Sequence, residues 1–447
     1  MKQRYKLPAA IFATGILSFG GVVIETAMNI TFPQLMKLIN VSLAQIQWVT
    51  TAYLLVLTAM IPLSAFLKRS FSAKKLFVTS VVCFLLGIII DAAAPSLSWL
   101  ILGRAFQGIG TGISLPLMFN IILEQAPANK LGLLMGLGNF VTATAPAIRP
   151  IYGGVLTDTW GWRMIFILMI PLILVALLVG CWSIEQHHPL HPTKFDLWGW
   201  ITTAAVFSLS ITAFSFLSTS LLKFIVYSIL ALIFLAIMLF HYQKSTAPIL
   251  NWNSLKSLSF SLHLSSYFIG QFVVLGLSFL IPNLIQLAFH QSSFQAGMAM
   301  APGALVGALL TPFGGILLDH LGAKRPVICG ISLQFTAVLL LSIFFSHLNV
   351  LIVTLIFVIA ATGQSLSMPG IMTHGLQQLP VKLQADGNAL FNTFQQFAGA
   401  AGTAICSTIV VASNSGQING FHHGLIFISS IVLLDLMIIW QVFRRSN

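Results

Sequence analysis

Acidic residues are nearly missing from this chain: 9 Asp and Glu stand against 21 Lys and Arg in 447 residues. Charged residues make up 7%, where soluble globular proteins carry about 25%. So few charges cannot cover the surface of a 48.5 kDa globule, which excludes a soluble fold. Cysteine is scarce as well. Cys83, Cys181, Cys329 and Cys406 all sit in apolar segments, without metal-ligand spacing or a disulfide framework, and read as small buried hydrophobes. No His-Glu-x-x-His, Gly-x-Ser-x-Gly or Walker sequence occurs, which argues against a membrane-embedded enzyme and against built-in ATP drive. Long polar segments are missing too. The longest, 185–197 and 241–261, are too small to fold alone, which argues against a receptor. No cofactor or metal is expected.

What remains is apolar: 57% of residues are hydrophobic and the mean hydropathy is +0.96. Uncharged stretches of about 18 residues or more are candidate membrane spans. Residues 7–24, 201–222 and 326–381 are examples, the last long enough for two. The pattern predicts fourteen spans at 8–32, 46–67, 75–94, 98–122, 131–156, 163–184, 198–218, 222–241, 262–287, 296–318, 326–346, 349–373, 388–412 and 422–443. With the N-terminus placed in the cytoplasm, 16 Lys and Arg fall inside and only Lys37, Arg163 and Lys223 outside, while Arg104 and Arg149 lie within spans. That bias fits the positive-inside rule and an even span count with both termini cytoplasmic. It also accounts for the net charge of +12 without nucleic acid, because the charge faces anionic lipid headgroups. Lys2, Arg4 and Lys6 precede an apolar stretch long enough to span, with no small-residue cleavage site, so no cleaved leader is expected.

The chain repeats itself. Residues 62–75 align without gaps on 312–325, an offset of 250, and Pro33 and Pro282 lie 249 apart. Spans 1–6 therefore match spans 9–14, with spans 7 and 8 left between them. Parallel six-helix repeats are a transporter architecture with the substrate path at the repeat interface. The expected domains are a six-helix bundle at 1–184, a linker with two inserted helices at 185–261, and a second six-helix bundle at 262–447.

Four motifs carry chemistry. After span 10, Gly315-x-Leu317-x-Asp319-x-x-Gly322-x-Lys324-Arg325 combines a tight turn, an acid near a helix end and two cations. In the matching first-half loop Ala65 and Ser72 replace the glycines and Arg69 the acid, so that loop reads mainly as an orientation signal. Span 4 holds Gly103-Arg104-Ala-Phe-Gln107-Gly108-x-Gly110-x-Gly112, an intramembrane cation beside close-packing glycines. Span 5 holds Ala145-Pro146-Ala-Ile-Arg149-Pro150-Ile-Tyr-Gly153-Gly154, where each proline removes a helix hydrogen bond. Span 1 holds Glu25-Thr26-Ala-Met-Asn29-Ile-Thr-Phe-Pro33.

In these motifs and their order the chain resembles the major facilitator superfamily, and within it the fourteen-helix drug:proton antiporters. The resemblance implies an all-α major facilitator fold, with two six-helix bundles and two inserted helices. It implies proton-driven export of small lipophilic or amphipathic compounds by alternating access, from a monomer in the cell (inner) membrane among its lipids. It assigns Arg104 a part in proton coupling, and a conformational role to Pro146, Pro150, Gly153, Gly154, Gly315, Asp319, Gly322, Lys324 and Arg325. Arg149 departs from the family's usual glycine and motivates the alternative of an anionic lipid, peptide or metabolite as cargo. Pro369-Gly-x-x-Thr373-His374 and the run from Gly387 to Gly399 also resemble this branch. There Asn392, Gln395 and Gln396 either line the substrate cavity or bond neighbouring helices, while Asn29, Gln107 and Arg149 are expected to line the cavity.

Helical rise places Glu25 about 25 Å from the inner end of span 1, Asp91 about 24 Å up span 3, Arg149 about 27 Å up span 5, and Arg104 about 9 Å below the outer end of span 4. All four fall in the outer half of the first repeat, where two acids offset two bases. Glu25 is the expected proton carrier and Arg104 its modulator; a static Glu25–Arg149 pair is the alternative. His187, His188 and His191 read as a solvated loop, and Asp435 as a lone acid of unassigned role.

Overall fold

The computed structural model describes the backbone of residues 3–186, 189–190, 194–217, 219–245, 248–413 and 416–445. The side chains at 3–5, 26, 29–30, 33, 43–44, 142–143, 145–151, 154, 158, 293, 417 and 445 are outside the description. Every regular element among the described residues is helical. The principal helices are α1 (Gln3–Ile39), α2 (Trp48–Met60), α3 (Ser64–Ser70), α4 (Ala73–Ala92), α5 (Leu97–Gln125), α6 (Leu131–Arg149), α7 (Met169–Ser183), α8 (Leu197–Phe216), α9 (Leu221–Lys244), α10 (Leu258–Leu287), α11 (Ser293–Leu321), α12 (Lys324–Ile343), α13 (Val350–Gln377), α14 (Val381–Val411) and α15 (Gln417–Arg445). A lipid-embedded backbone must satisfy its own hydrogen bonds, and helices do so within one segment. Among the described residues twelve helices are long and apolar enough to cross a membrane, thirteen if α2 and α3 count as one bent span. The protein is thus a multi-pass membrane protein. α6, which continues through a π-helical turn at Pro150–Val155, occupies the position predicted for span 5 outside that count.

Polar residues set the helix ends. Ser72, Ser257 and Asn349 each accept a backbone N–H at the start of α4, α10 and α13, and Ser292 with Gln295 closes a capping box on α11. Gly322 ends α11 with φ 71°, the sharp turn its spacing predicts.

The repeated prolines behave differently in the two halves. Pro312 lies inside the continuous α11, whereas the chain bends by 51° between α2 and α3, at Pro62. There the N–H groups of Leu63 and Ser64 reach back only three residues, to Met60 and Ile61. The Ala59 carbonyl instead accepts the indole N–H of Trp200 from α8 at 2.8 Å. A kink at proline frees backbone groups that other side chains must satisfy, and Trp200 does so here.

By internal contacts the chain forms two compact units. One comprises Met1–Pro127, Val141–Ala204 and Ser245–Leu250; the other comprises Ala128–Phe140, Ala205–Lys244 and Asn251–Asn447. In the first, α5 is the central helix, packed by α1, α2 and α4. In the second, α10 lies against α14, and α13 against both α11 and α12. Phe207 and Phe214 of α8 join Phe268, Phe394 and Phe397 in a cluster with ring centroids 5.5–6.3 Å apart. α9 buries little beyond Ala231 and Met238, as suits a helix surrounded by lipid.

Candidate functional site

The strongest concentration of buried polar chemistry in the first unit lies where α4 meets α5. Gly87 and Gly103 make that meeting close. A Cβ on Gly87 would overlap the Gly103 carbonyl, and one on Gly103 would overlap the Asp91 carboxyl. Asp91 sits in the last turn of α4, and Arg104 and Gln107 are one turn apart on α5; all three are fully buried. The Arg104 guanidinium donates through Nη1 to Gln107 Oε1 at 2.6 Å. Gln107 then donates through Nε2 to Asp91 Oδ2, also at 2.6 Å. A neutral amide therefore stands between the base and the acid. Arg104 Nε also donates to the Val49 carbonyl at 3.3 Å, and its guanidinium lies 4.2 Å from the ring centroid of Tyr53, a cation–π contact strengthened by burial.

α1 supplies the second acid. Gly21 faces the Tyr53 hydroxyl and Thr111, with no room for a Cβ. Glu25 follows one turn later on the same face and is half-buried. The Gly21 turn of α1 thus meets Tyr53, whose ring lies against the Arg104 guanidinium. Among the described residues Arg104 makes no salt bridge within 4.0 Å; the ion pairs there are Lys6–Glu185 and Lys68–Glu124. Asp91 Oδ1 and Arg104 Nη2 are buried without a hydrogen-bond partner among the described residues. Buried polar groups are nearly always paired, so an unpaired atom on both the acid and the base marks a place for a proton or a water.

The expected Arg104–Glu25–Asp91 neighbourhood is present, while the side chains of Arg149 and Asn29 lie outside the described residues. Gln107, expected to line the substrate cavity, is instead fully buried and hydrogen-bonded to Asp91 and Arg104. Tyr53 escaped the sequence reading, because an aromatic in an apolar run carries no signal of a charged neighbour. Of the span 5 residues, Gly153 is buried, while the side chains of Pro146, Pro150 and Gly154 are outside the described residues, as are His187, His188 and His191.

In the second unit the Asp319 carboxylate accepts the N–H groups of Gly132 and Leu133 at 2.7 and 2.9 Å. It thereby caps the first turn of α6, where unpaired donors and the helix dipole favour an anion. Gly132 and Gly315 face each other there, and a Cβ on either would overlap the other's carbonyl. Lys324 and Arg325 are exposed at the start of α12. On α14, Asn392 donates to the carbonyl and side chain of Asn388 at 2.9 and 2.8 Å, Gln395 accepts from Tyr267 at 3.1 Å, and Gln396 is half-buried. Predicted span 13 begins at 388, but α14 starts at Val381 and so takes in a buried acid, Asp386, which accepts the Asn251 N–H at 2.8 Å.

The matching first-half loop makes a contact of its own. Arg69, at the position equivalent to Asp319, donates to the carbonyls of Ile249 and Pro248 at 2.9 and 3.4 Å. A cation can bind carbonyls where an acid binds N–H groups, so the sign change swaps the partner.

A sequence model described as Major Facilitator Superfamily matches residues 11–403. The lincomycin resistance protein LmrB of Bacillus subtilis is 33% identical over 422 residues, covering 92% of this chain and 87% of its own. The multidrug resistance protein B homolog of Mycobacterium tuberculosis is 26% identical over 376 residues, covering 82% and 69%. The crystal structure of the human organic anion transporter MFSD10 (TETRAN) matches with a TM-score of 0.69 at 14% identity, over 96% of this chain and 99% of that one.

Proposed function

The chain belongs to the major facilitator superfamily, and from that premise we propose that it is a proton-driven exporter of amphipathic antibiotics and other lipophilic compounds. The names of its relatives, lincomycin resistance and multidrug resistance, support the cargo class. The observation that carries the coupling is the buried Arg104, joined to Asp91 through Gln107 and set against Tyr53, which the Gly21 turn of α1 meets one turn before Glu25. A proton on Glu25 or Asp91 removes one negative charge from around a fixed cation. Burial favours the neutral acid and Arg104 the ionised one. Cargo or proton then decides which state persists, and the helices that carry these groups respond. Glu25 is the proton carrier, Arg104 the modulator, and Gln107 the bridge to a second acid.

Fourteen spans belong to the same proposal, with α2 and α3 as one and α6 as the fourteenth. So do two six-helix bundles, an inserted α8–α9 pair, cytoplasmic termini, the inner membrane and a monomeric unit. The lipid-exposed α9 supports an inserted pair at the periphery. Asp319 latches α6, with Gly315, Gly322, Lys324 and Arg325 shaping the latch; Pro146, Pro150, Gly153 and Gly154 form the bending element of α6. The proposed substrate-contacting residues are Asn29 and Arg149 in the first unit and Asn392, Gln395 and Gln396 in the second.

The test is expression in a bacterial host stripped of its own efflux pumps. The chain should raise the inhibitory concentration of lincomycin and lower ethidium retention, and a protonophore should abolish both effects. Unchanged resistance and ethidium retention at verified membrane expression would refute the reading.

A further inference from the structure

The second unit holds a pair of titratable rings that the proposed mechanism does not use. His263 of α10 is fully buried and His374 of α13 is half-buried one turn from the end of its helix. Their hydrogen bonds fix both tautomers. The Ser259 carbonyl can only accept, so at 2.7 Å it takes the Nδ1 proton of His263. His263 Nε2 is therefore a bare lone pair, and at 2.8 Å it accepts the Nδ1 proton of His374. His374 Nε2 is in turn bare and faces the amide nitrogen of Gln378 at 3.3 Å. Phe443 of α15 closes the pair, with ring centroids 6.1 and 5.6 Å from the two imidazoles.

Asp435 of α15, the helix that carries Phe443, is 1% exposed, and its Oδ1 has no hydrogen-bond partner among the described residues. The other titratable groups on the packed helices are committed or exposed. Tyr267 donates to Gln395, Asp386 accepts from Asn251, Asp319 caps α6 and Arg444 lies over Trp440. Lys382, Lys324, Arg325 and His320 are exposed.

We propose that the His263–His374 pair is a second proton-binding site, loaded at the end of α13. A proton arrives at His374 Nε2, and the Nδ1 proton of His374 crosses to His263 Nε2. His374 is left neutral with its proton on Nε2, and His263 carries the charge. The reverse sequence releases the proton. A second proton on the pair would put two cations in contact, so the pair holds one.

The proposal rests on the proton-antiport reading, and two measurements separate them. In proteoliposomes loaded with lincomycin, protons moved per lincomycin are counted with a pH dye. His374→Gln and His263→Gln should each lower the count by one proton; an unchanged count in either overturns the proposal. If the unsubstituted protein moves no protons, the antiport reading fails instead. Independently, 15N-histidine spectra of the unsubstituted protein should show both rings protonated at Nδ1 at high pH and one proton shared between them as pH falls. Two independent titrations, none, or an Nε2-protonated starting state would overturn it without any transport assay.

Discussion

Replacing Asp319 with Ala tests the latch at one defined place. The substitution strips two N–H groups, Gly132 and Leu133, of a carboxylate acceptor at 2.7 and 2.9 Å. A hydrogen bond to a charged group is worth about 1.5–3 kcal/mol, and removing an N-cap acceptor costs about 0.5–2 kcal/mol. The site is half-buried, so water recovers part of the loss and the expected cost is about 2–3 kcal/mol. If local opening of the first turn of α6 governs exchange, 2 kcal/mol corresponds to about thirtyfold. Hydrogen–deuterium exchange of a peptide spanning residues 128–140, followed by mass spectrometry, reads this directly. Asp319→Asn keeps one acceptor oxygen and loses the charge, and should fall between. A peptide over the start of α13, capped independently by Asn349, is the control and should not change. Exchange within about twofold of the unsubstituted protein would show that the carboxylate does not hold α6.

Other substitutions test other contacts. Gln107→Ala leaves Asp91 and Arg104 as unbridged buried charges and should cost about 3–5 kcal/mol, seen as a collapse of thermal stability in detergent, while Gln107→Glu pairs with Arg104 but sets an oxygen against Asp91 Oδ2 where the amide donor stood and should fall between the two. Gly315→Ala would drive a methyl into the Gly132 carbonyl, where neither backbone can yield, and should cost about 1–3 kcal/mol by overpacking, read from the melting temperature. Gly322→Ala meets no neighbour but must hold φ 71°, so a loss of about 1–3 kcal/mol from backbone strain alone is expected. Trp200→Phe removes the indole donor from the Ala59 carbonyl and should cost about 1–3 kcal/mol, with faster exchange confined to the α2–α3 bend.

Span positions were legible because charge scarcity makes each boundary conspicuous: Lys74 and Lys75 follow the capping Ser72, and Lys256 precedes the capping Ser257. The turn at Gly322 was legible from its spacing alone. The course of the chain at Pro62 was not, since the same proline sits in a straight helix at Pro312 and the difference lies in Trp200, far along the sequence. Arg104 stood out as a cation in a span, and the depth count brought Asp91 and Glu25 near it. Gln107 as the bridge, and Tyr53 beneath the guanidinium, depend on the rotation of α2 and α4 about their axes, which hydropathy does not encode. The His263–His374 contact joins helices 111 residues apart, and no local pattern announces it. Arg69 looked like a lost latch because its pattern was judged by sign, while the partner had changed from N–H groups to carbonyls.

The most direct test of the central claim is substrate movement in proteoliposomes under an imposed pH gradient, with Glu25→Gln beside the unsubstituted protein. A gradient, proton-rich on the side from which protons enter, should drive lincomycin the opposite way in the unsubstituted protein. Glu25→Gln should still exchange lincomycin down its own gradient and lose the response to pH. Equal pH-driven transport by both proteins would contradict the account.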